Sequence, residues 1–185
     1  MTKAQLTVLA GPTAVGKGTV VAALTKRYPT LKVSISATTR DPRPGELNGV
    51  HYYFVSNQEF DAMIERGDML EWALVHGKNK YGTPRGPVDE ALAAGKPVLL
   101  EIDLAGARQV RRKRPDAQFI FLAPPSWEEL ERRLIGRGTE SPEEQARRLA
   151  TARVELDAAS EFDHVVINDD VEHAVDELAR LIGLE

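Results

Sequence analysis

Apolar positions fall along the chain in short, bounded runs that alternate between strand length and helix length. Leu6-Thr-Val-Leu-Ala10 is a run of strand length. After a glycine-bounded turn, Val20-Val-Ala-Ala-Leu24 lies in a stretch that predicts a helix over about 18–28, stopped by Pro29. A second strand is expected at 31–35. From 36 the regularity is lost: 36–45, with prolines on both sides of Arg43, reads as a loop, and 51–55 as a short strand. Ser56-Asn-Gln-Glu59 is a capping box that opens a helix through Ile64, with Gly67 ending it, and 69–75 reads as extended.

The alternation returns at Arg85. A helix over 85–94 ends at Gly95, and the apolar run within 97–102 fits a strand buried on both faces. A helix over 104–113 and a strand over 118–122 follow. Ser126-Trp-Glu-Glu129 caps a helix ending near Gly136, and Ser141-Pro142-Glu-Glu144 opens the next after a loop at 137–141. The last strand is expected at 162–167, and Asp170 caps a final amphipathic helix that Gly183 terminates. Strands alternating with helices imply right-handed parallel crossovers, hence one α/β domain with a parallel sheet and helices on both faces. Its core is expected at about 1–35, 84–125 and 160–185. A small strand-rich insertion at about 36–83 and a helical lid at about 126–159 interrupt it.

Composition narrows the chemistry. The 185 residues include no cysteine, so disulfides, zinc–thiolate sites and thiol catalysis are excluded. The formal net charge of −4 disfavours general nucleic-acid binding, so any anion site must be built from placed residues. No apolar run approaches the ~20 residues that span a bilayer, and no charged-then-apolar leader precedes Leu6. The expectation is a soluble, cytoplasmic protein.

The turn between the first strand and first helix is Gly11-Pro-Thr-Ala-Val-Gly16-Lys17-Gly18-Thr19. A strand feeding a glycine-rich turn that opens a helix converges backbone N–H groups on phosphate oxygens, and Lys17 adds a mobile cation. Gly18 stands where a hydroxyl usually follows the lysine, so a Mg²⁺ contact falls to Thr19, one residue later. Arg40, Arg43, Tyr52 and Tyr81 are candidates for a second phosphate, against the plainer reading of solvated arginines and core tyrosines. Glu71, between Leu70 and Trp72, could accept from the adjacent N1–H and N2–H₂ donors of a guanine, with Thr83 and Ser36 adding hydroxyls; alternatively it points outward from an alternating strand. Glu101 and Asp103 lie at the C-terminal edge of the buried strand, where open α/β sheets bind ligands, and Asp103 can equally cap the following helix. Arg133, Arg137 and Arg148 flank the lid. Arg133 and Arg148 also have helical i,i+4 spacing to Glu129 and Glu144, which offers a purely structural reading. The four histidines show no metal-ligand spacing and read as surface or packing residues.

Taken in order, 11–19, Ser36-Ala-Thr-Thr-Arg40-Asp-Pro-Arg43-Pro-Gly-Glu46, Asn48-Gly-Val-His-Tyr52, Leu70-Glu71-Trp-Ala73, Glu101-Ile-Asp103 and Arg133-Leu-Ile-Gly-Arg137-Gly-Thr-Glu140 resemble guanylate kinase over nearly the whole chain. The resemblance implies a P-loop NTPase-type α/β fold with a GMP-binding insertion and a lid, and the reaction ATP + GMP ⇌ ADP + GDP with ATP bound as its Mg²⁺ complex. It puts ATP on Gly11, Pro12, Thr13, Ala14, Val15, Gly16, Lys17, Gly18 and Thr19, with Asn168 at the adenine. It puts Arg40, Arg43, Tyr52 and Tyr81 on the GMP phosphate, Ser36, Glu71 and Thr83 on the guanine, and Asp103 on the acceptor side or, with Thr19, in the Mg²⁺ shell. Lys17, Arg137 and Arg148 would serve the transferring phosphates, with Arg40 beside them. Protein-binding scaffolds that resemble guanylate kinase form the alternative class, and a kinase for another nucleoside monophosphate is the competitor within the same class.

Overall fold

The computed structural model describes residues 3–136, 138 and 140–185. A five-stranded parallel sheet carries the fold: β1 (Leu6–Ala10), β2 (Lys32–Val33), β7 (Val98–Glu101), β8 (Gln118–Ala123) and β9 (His164–Ile167), in the order β2-β7-β1-β8-β9. All five residues of β1 are buried because helices cover both faces of the strand at the centre. Leu6, Val8 and Ala10 face α3 (Arg85–Ala93) and α4 (Leu104–Lys113), packing with Val88, Ala107 and Val110. Leu9 faces the other way, into α1 (Lys17–Arg27) and α7 (Val171–Ile182), where Val20, Leu24, Val175 and Leu178 close the second core layer.

Between β2 and α3 the chain builds a second, four-stranded sheet from β3 (Ala37–Thr38), β4 (Tyr53–Phe54), β5 (Met69–Val75) and β6 (Asn79–Pro84), ordered β4-β3-β6-β5. Its own small core of Ala37, Phe60 and Met69, flanked by Trp72, packs under α2 (Asn57–Glu65). Two of these strands were not expected. β3 falls inside the predicted loop, and β6 has no apolar alternation; both are strands because β6 pairs antiparallel with β5 on one side and β3 on the other. β2 is shorter than predicted, with only Lys32 and Val33 pairing to β7. The remaining helices, α5 (Trp127–Ile135) and α6 (Pro142–Asp157), enclose a third cluster of Leu130, Leu134 and Ala152.

The expected caps are present. Ser56, Ser126 and Ser141 accept from the N–H three residues on, and Asp103 from Gly106. Asp170 Oδ1 accepts from the Glu172 and His173 N–H groups at 2.8 and 3.3 Å. Asp170→Ala is expected to destabilise the protein by about 1 kcal/mol, lowering the melting midpoint by roughly 2–4 °C in a thermal scan. No helix among the described residues is long and apolar enough to cross a membrane.

Candidate active site

The turn after β1 folds back on itself through a Val15 N–H to Pro12 C=O bond of 3.2 Å. Ala14 and Gly16 have φ of 71° and 94°, the left-handed conformations that curl successive N–H groups toward one concavity. Gly11 is required for a different reason: a Cβ there would lie 2.4 Å from the Leu122 carbonyl oxygen of β8. At Gly18 a Cβ would meet nothing within 4 Å, so packing does not demand glycine there. Lys17 opens α1, and its Nζ donates to the Gly11 carbonyl at 2.9 Å, bringing the ammonium over the turn. Burial pushes its pKa below the ordinary lysine value, while Glu101, Glu155 and Asp103 oppose that shift. The Val15 carbonyl accepts from Asn168 Nδ2 at 2.8 Å and from Arg133 at 3.3 Å, so Asn168 and α5 both brace the turn. Thr19 is exposed in the first turn of α1.

Asp103 ends the β7 edge and caps α4, its Oδ1 accepting from the Gly106 N–H at 2.8 Å. It is close enough to raise the pKa of Lys17 on one side and of Glu71 on the other. Glu71 is only 9% exposed and accepts a 2.8 Å bond from the Thr83 hydroxyl. The outward-pointing alternative is therefore excluded, and the physical reason is a bulge. The β5–β6 register shifts between Met69 and Glu71, so Leu70 turns into the main core, while Met69 and Trp72 both join the small one. Burial pushes the Glu71 carboxyl above the usual carboxylate range; the Thr83 bond and Lys113 oppose this, and Asp103 adds to it. Ser36 immediately precedes β3, its carbonyl accepting from the Tyr53 N–H.

Arg40 forms a two-pronged pair with Glu46 at 2.9 and 3.0 Å, and its guanidinium lies 5.2 Å from the centre of the Tyr52 ring. Tyr81 meets Tyr52 edge to face at 6.1 Å. Arg40, Tyr52 and Tyr81 thus converge. Arg43 joins them only through its backbone N–H, which donates to Glu46 at 2.7 Å, and its side chain is exposed. Arg40, with the Arg43 N–H, holds the Glu46 carboxyl down to about 2.

On α5, Arg133 pairs with Glu129 at 3.4 Å as its spacing predicts, but on α6 Arg148 pairs with Glu140 at 2.7 Å rather than with Glu144. Glu140 precedes α6 and reaches forward to its second turn, which sequence spacing along one helix does not reveal. Arg133, Glu140, Gln145 and Arg148 line a cavity of about 330 Å³ that opens beside Ala14. Arg137 lies outside the described residues. Three residues were missed from the sequence. Glu46 is one; Gln109, which bonds to the β5 backbone, is another. The third is Glu155 on α6, which faces Lys17 and the Thr13 N–H while its Oε1 is buried with no hydrogen-bond partner among the described residues. No local pattern marks them, because each partner is remote in sequence or set by the loop's path.

Residues 3–185 match the family model described as guanylate kinase. The chain is 61% identical over 179 residues to the guanylate kinase of Thermobifida fusca, covering 97% of this chain and 91% of that protein. It is 59% identical over 177 residues to that of Cutibacterium acnes, covering 96% and 89%. Among solved structures, guanylate kinase from Anaplasma phagocytophilum superposes with a TM-score of 0.74 at 32% identity, covering 99% of this chain and 86% of that one.

Proposed function

The chain belongs to the guanylate kinase family and is an ATP:GMP phosphotransferase, and from that premise we propose which of its residues carry the reaction. The observation that supports the assignment best is the position of Asp103, a single carboxylate within electrostatic reach of both Lys17 and Glu71. It marks the ground between the phosphate turn and the base-reading strand. In this reading 11–19 cradles the ATP phosphates, Glu71 and Thr83 with Ser36 read the guanine, and Arg40, Arg43, Tyr52 and Tyr81 hold the GMP phosphate. Asn168, which braces the turn, borders the adenine.

A GMP phosphate oxygen attacks the γ-phosphorus of ATP in line. A new P–O bond forms as the bond to the β–γ bridging oxygen breaks, and ADP leaves. Positioning and charge neutralisation supply most of the rate, so Lys17, Arg40, Arg137 and Arg148 act as cations around the moving group. The insertion 36–83 and lid 126–159 close on the core 1–35, 84–125 and 160–185, keeping water from acting as the acceptor.

The donor set fits Mg²⁺ delivered with ATP. Among the described residues no group of three or more acidic, histidine or cysteine side chains could hold an ion alone. A Mg²⁺ held by phosphates, water and one or two protein oxygens needs no such group. Asp103 and the Thr19 hydroxyl would hold its outer coordination, where the ion supplies neutralisation of phosphate charge. ATP and GMP are the small-molecule substrates, and in this reading they are used in the cytoplasm. No observation favours a non-catalytic scaffold.

The test is coupled ADP production with GMP, AMP or UMP as acceptor. Turnover confined to GMP is expected, and comparable turnover with AMP or UMP would overturn the base-reading assignment.

A further inference from the structure

β5 is the outer strand of the four-stranded sheet, so the main-chain groups on its far side have no strand to pair with. Helix α4 supplies the partners instead. The primary amide of Gln109 donates to the Trp72 carbonyl at 2.9 Å and accepts from the Trp72 N–H at 3.0 Å, imitating the peptide group of a missing neighbour strand. Four residues further on, Lys113 Nζ donates to the Met69 carbonyl at 2.6 Å. Gly106, three residues before Gln109, completes the same helical face. A Cβ at Gly106 would lie 3.0 Å from Glu71 Oε2, so the bare backbone leaves that carboxylate its place. The helix itself is rooted in the main core by Ala107 and Val110.

Met69 and Trp72 are the residues held, and they bracket the bulge that turns Glu71 inward. On the inner side, the Thr83 hydroxyl holds the carboxylate itself. Glu71 is therefore fixed from two directions: by its own hydrogen bond, and by a backbone clamped on both flanks to a helix of the core.

We infer that Gln109, assisted by Lys113, is a positioning residue for guanine recognition, clamping the outer edge of β5 so that Glu71 meets the base in register. This rests on the assignment of Glu71 to the guanine. The strand itself does not depend on the clamp, because β5 remains paired to β6 and Met69 and Trp72 remain in the small core without it. Losing the clamp relaxes the aim of Glu71 rather than the fold.

The experiment uses Gln109→Met, which keeps the length and apolar packing of the side chain and removes both hydrogen bonds. Steady-state kinetics are measured with ATP, with GMP and with IMP, which lacks the N2 amine. The KM for GMP is expected to rise about tenfold, the size of effect that losing one to two net hydrogen bonds produces. The KM for ATP and kcat at saturating GMP are expected to stay within about twofold, and the preference for GMP over IMP to shrink with the rise in KM. Glu71→Gln is run alongside. If Glu71→Gln removes the GMP preference and Gln109→Met leaves it intact, the clamp is overturned and the base-reading role stands. If Glu71→Gln leaves the preference intact, the base-reading role falls and the clamp with it. A parallel rise of both KM values in Gln109→Met marks general loosening and also overturns the inference. Should Gln109→Met fail to fold, Lys113→Met, which loses a single bond, carries the same comparison, with a smaller rise in the KM for GMP expected and an unchanged GMP preference overturning the clamp.

Discussion

Lys17→Ala is expected to lower kcat/KM for GMP-dependent ADP formation by about 10³-fold, the scale on which a positioned charge contributes to phosphoryl transfer. The ammonium rests on the Gly11 carbonyl, at the mouth of the turn where the phosphates are proposed to enter. Its neighbours Glu101, Glu155 and Asp103 are all acidic, so removing the cation leaves a surplus of negative charge facing an anionic substrate. Lys17→Arg is a poor substitute, because a planar guanidinium does not replace a compact ammonium inside a curled loop. The wild type carries a pH signature as well. Burial lowers the pKa of Lys17, so activity falls on the alkaline side before an ordinary lysine would titrate. The unfolded chain binds this proton more tightly than the folded one, so the associated stability penalty is full below the lowered value and fades as pH rises from there to the ordinary lysine value. A Lys17→Ala enzyme within tenfold of wild-type turnover would remove Lys17 from the reaction.

Glu71→Gln is expected to lower kcat/KM for GMP by about 10²-fold while leaving the KM for ATP nearly unchanged. A glutamine presents one acceptor and one donor where guanine offers two donors, so one pairing becomes a donor–donor conflict. Burial raises the Glu71 pKa, and this fixes the direction of the pH effect. As pH falls, Glu71 takes up its proton at a higher pH than an exposed glutamate, so GMP binding begins to weaken earlier on acidification than an ordinary glutamate would cause. For stability, the folded chain holds this proton more tightly than the unfolded one. The contribution of Glu71 to stability therefore declines as pH rises from the unfolded value through the raised one and is level above it. The measurement is KM for GMP against pH in both proteins. A rise at low pH in the wild type that disappears in Glu71→Gln is the expected pair of curves, and equal losses for ATP and GMP would sink the role.

What could be read from sequence was what depends on neighbouring residues. The glycine-rich turn before α1, the serine caps with glutamate three positions later, and Gly183 after the last helix are local devices whose geometry follows from a few consecutive side chains. Ala37–Thr38 and Asn79–Pro84 become strands only because other strands lie beside them, and nothing in Ser-Ala-Thr-Thr or Lys-Tyr-Gly-Thr announces that company. Simple alternation gave Glu71 an outward alternative that the bulge removes. Glu46, Gln109 and Glu155 went unread for the same cause: each is defined by a partner that folding brings close, across 37 residues for Gln109 and Trp72 and farther still for Glu155 and Lys17. Guanine recognition itself was legible through family resemblance more than through residue chemistry.

Ala14 holds a left-handed backbone that alanine adopts reluctantly, and its side chain packs with Leu130, Leu134 and Ala152 in the cluster between α5 and α6. The turn after β1 and the α5–α6 pair therefore share a seam. Amides around Ala14 and in the facing turns of α5 and α6 should exchange with deuterium on one common clock, and Ala14→Gly, which eases the backbone and removes the shared methyl, should set the two running at separate rates.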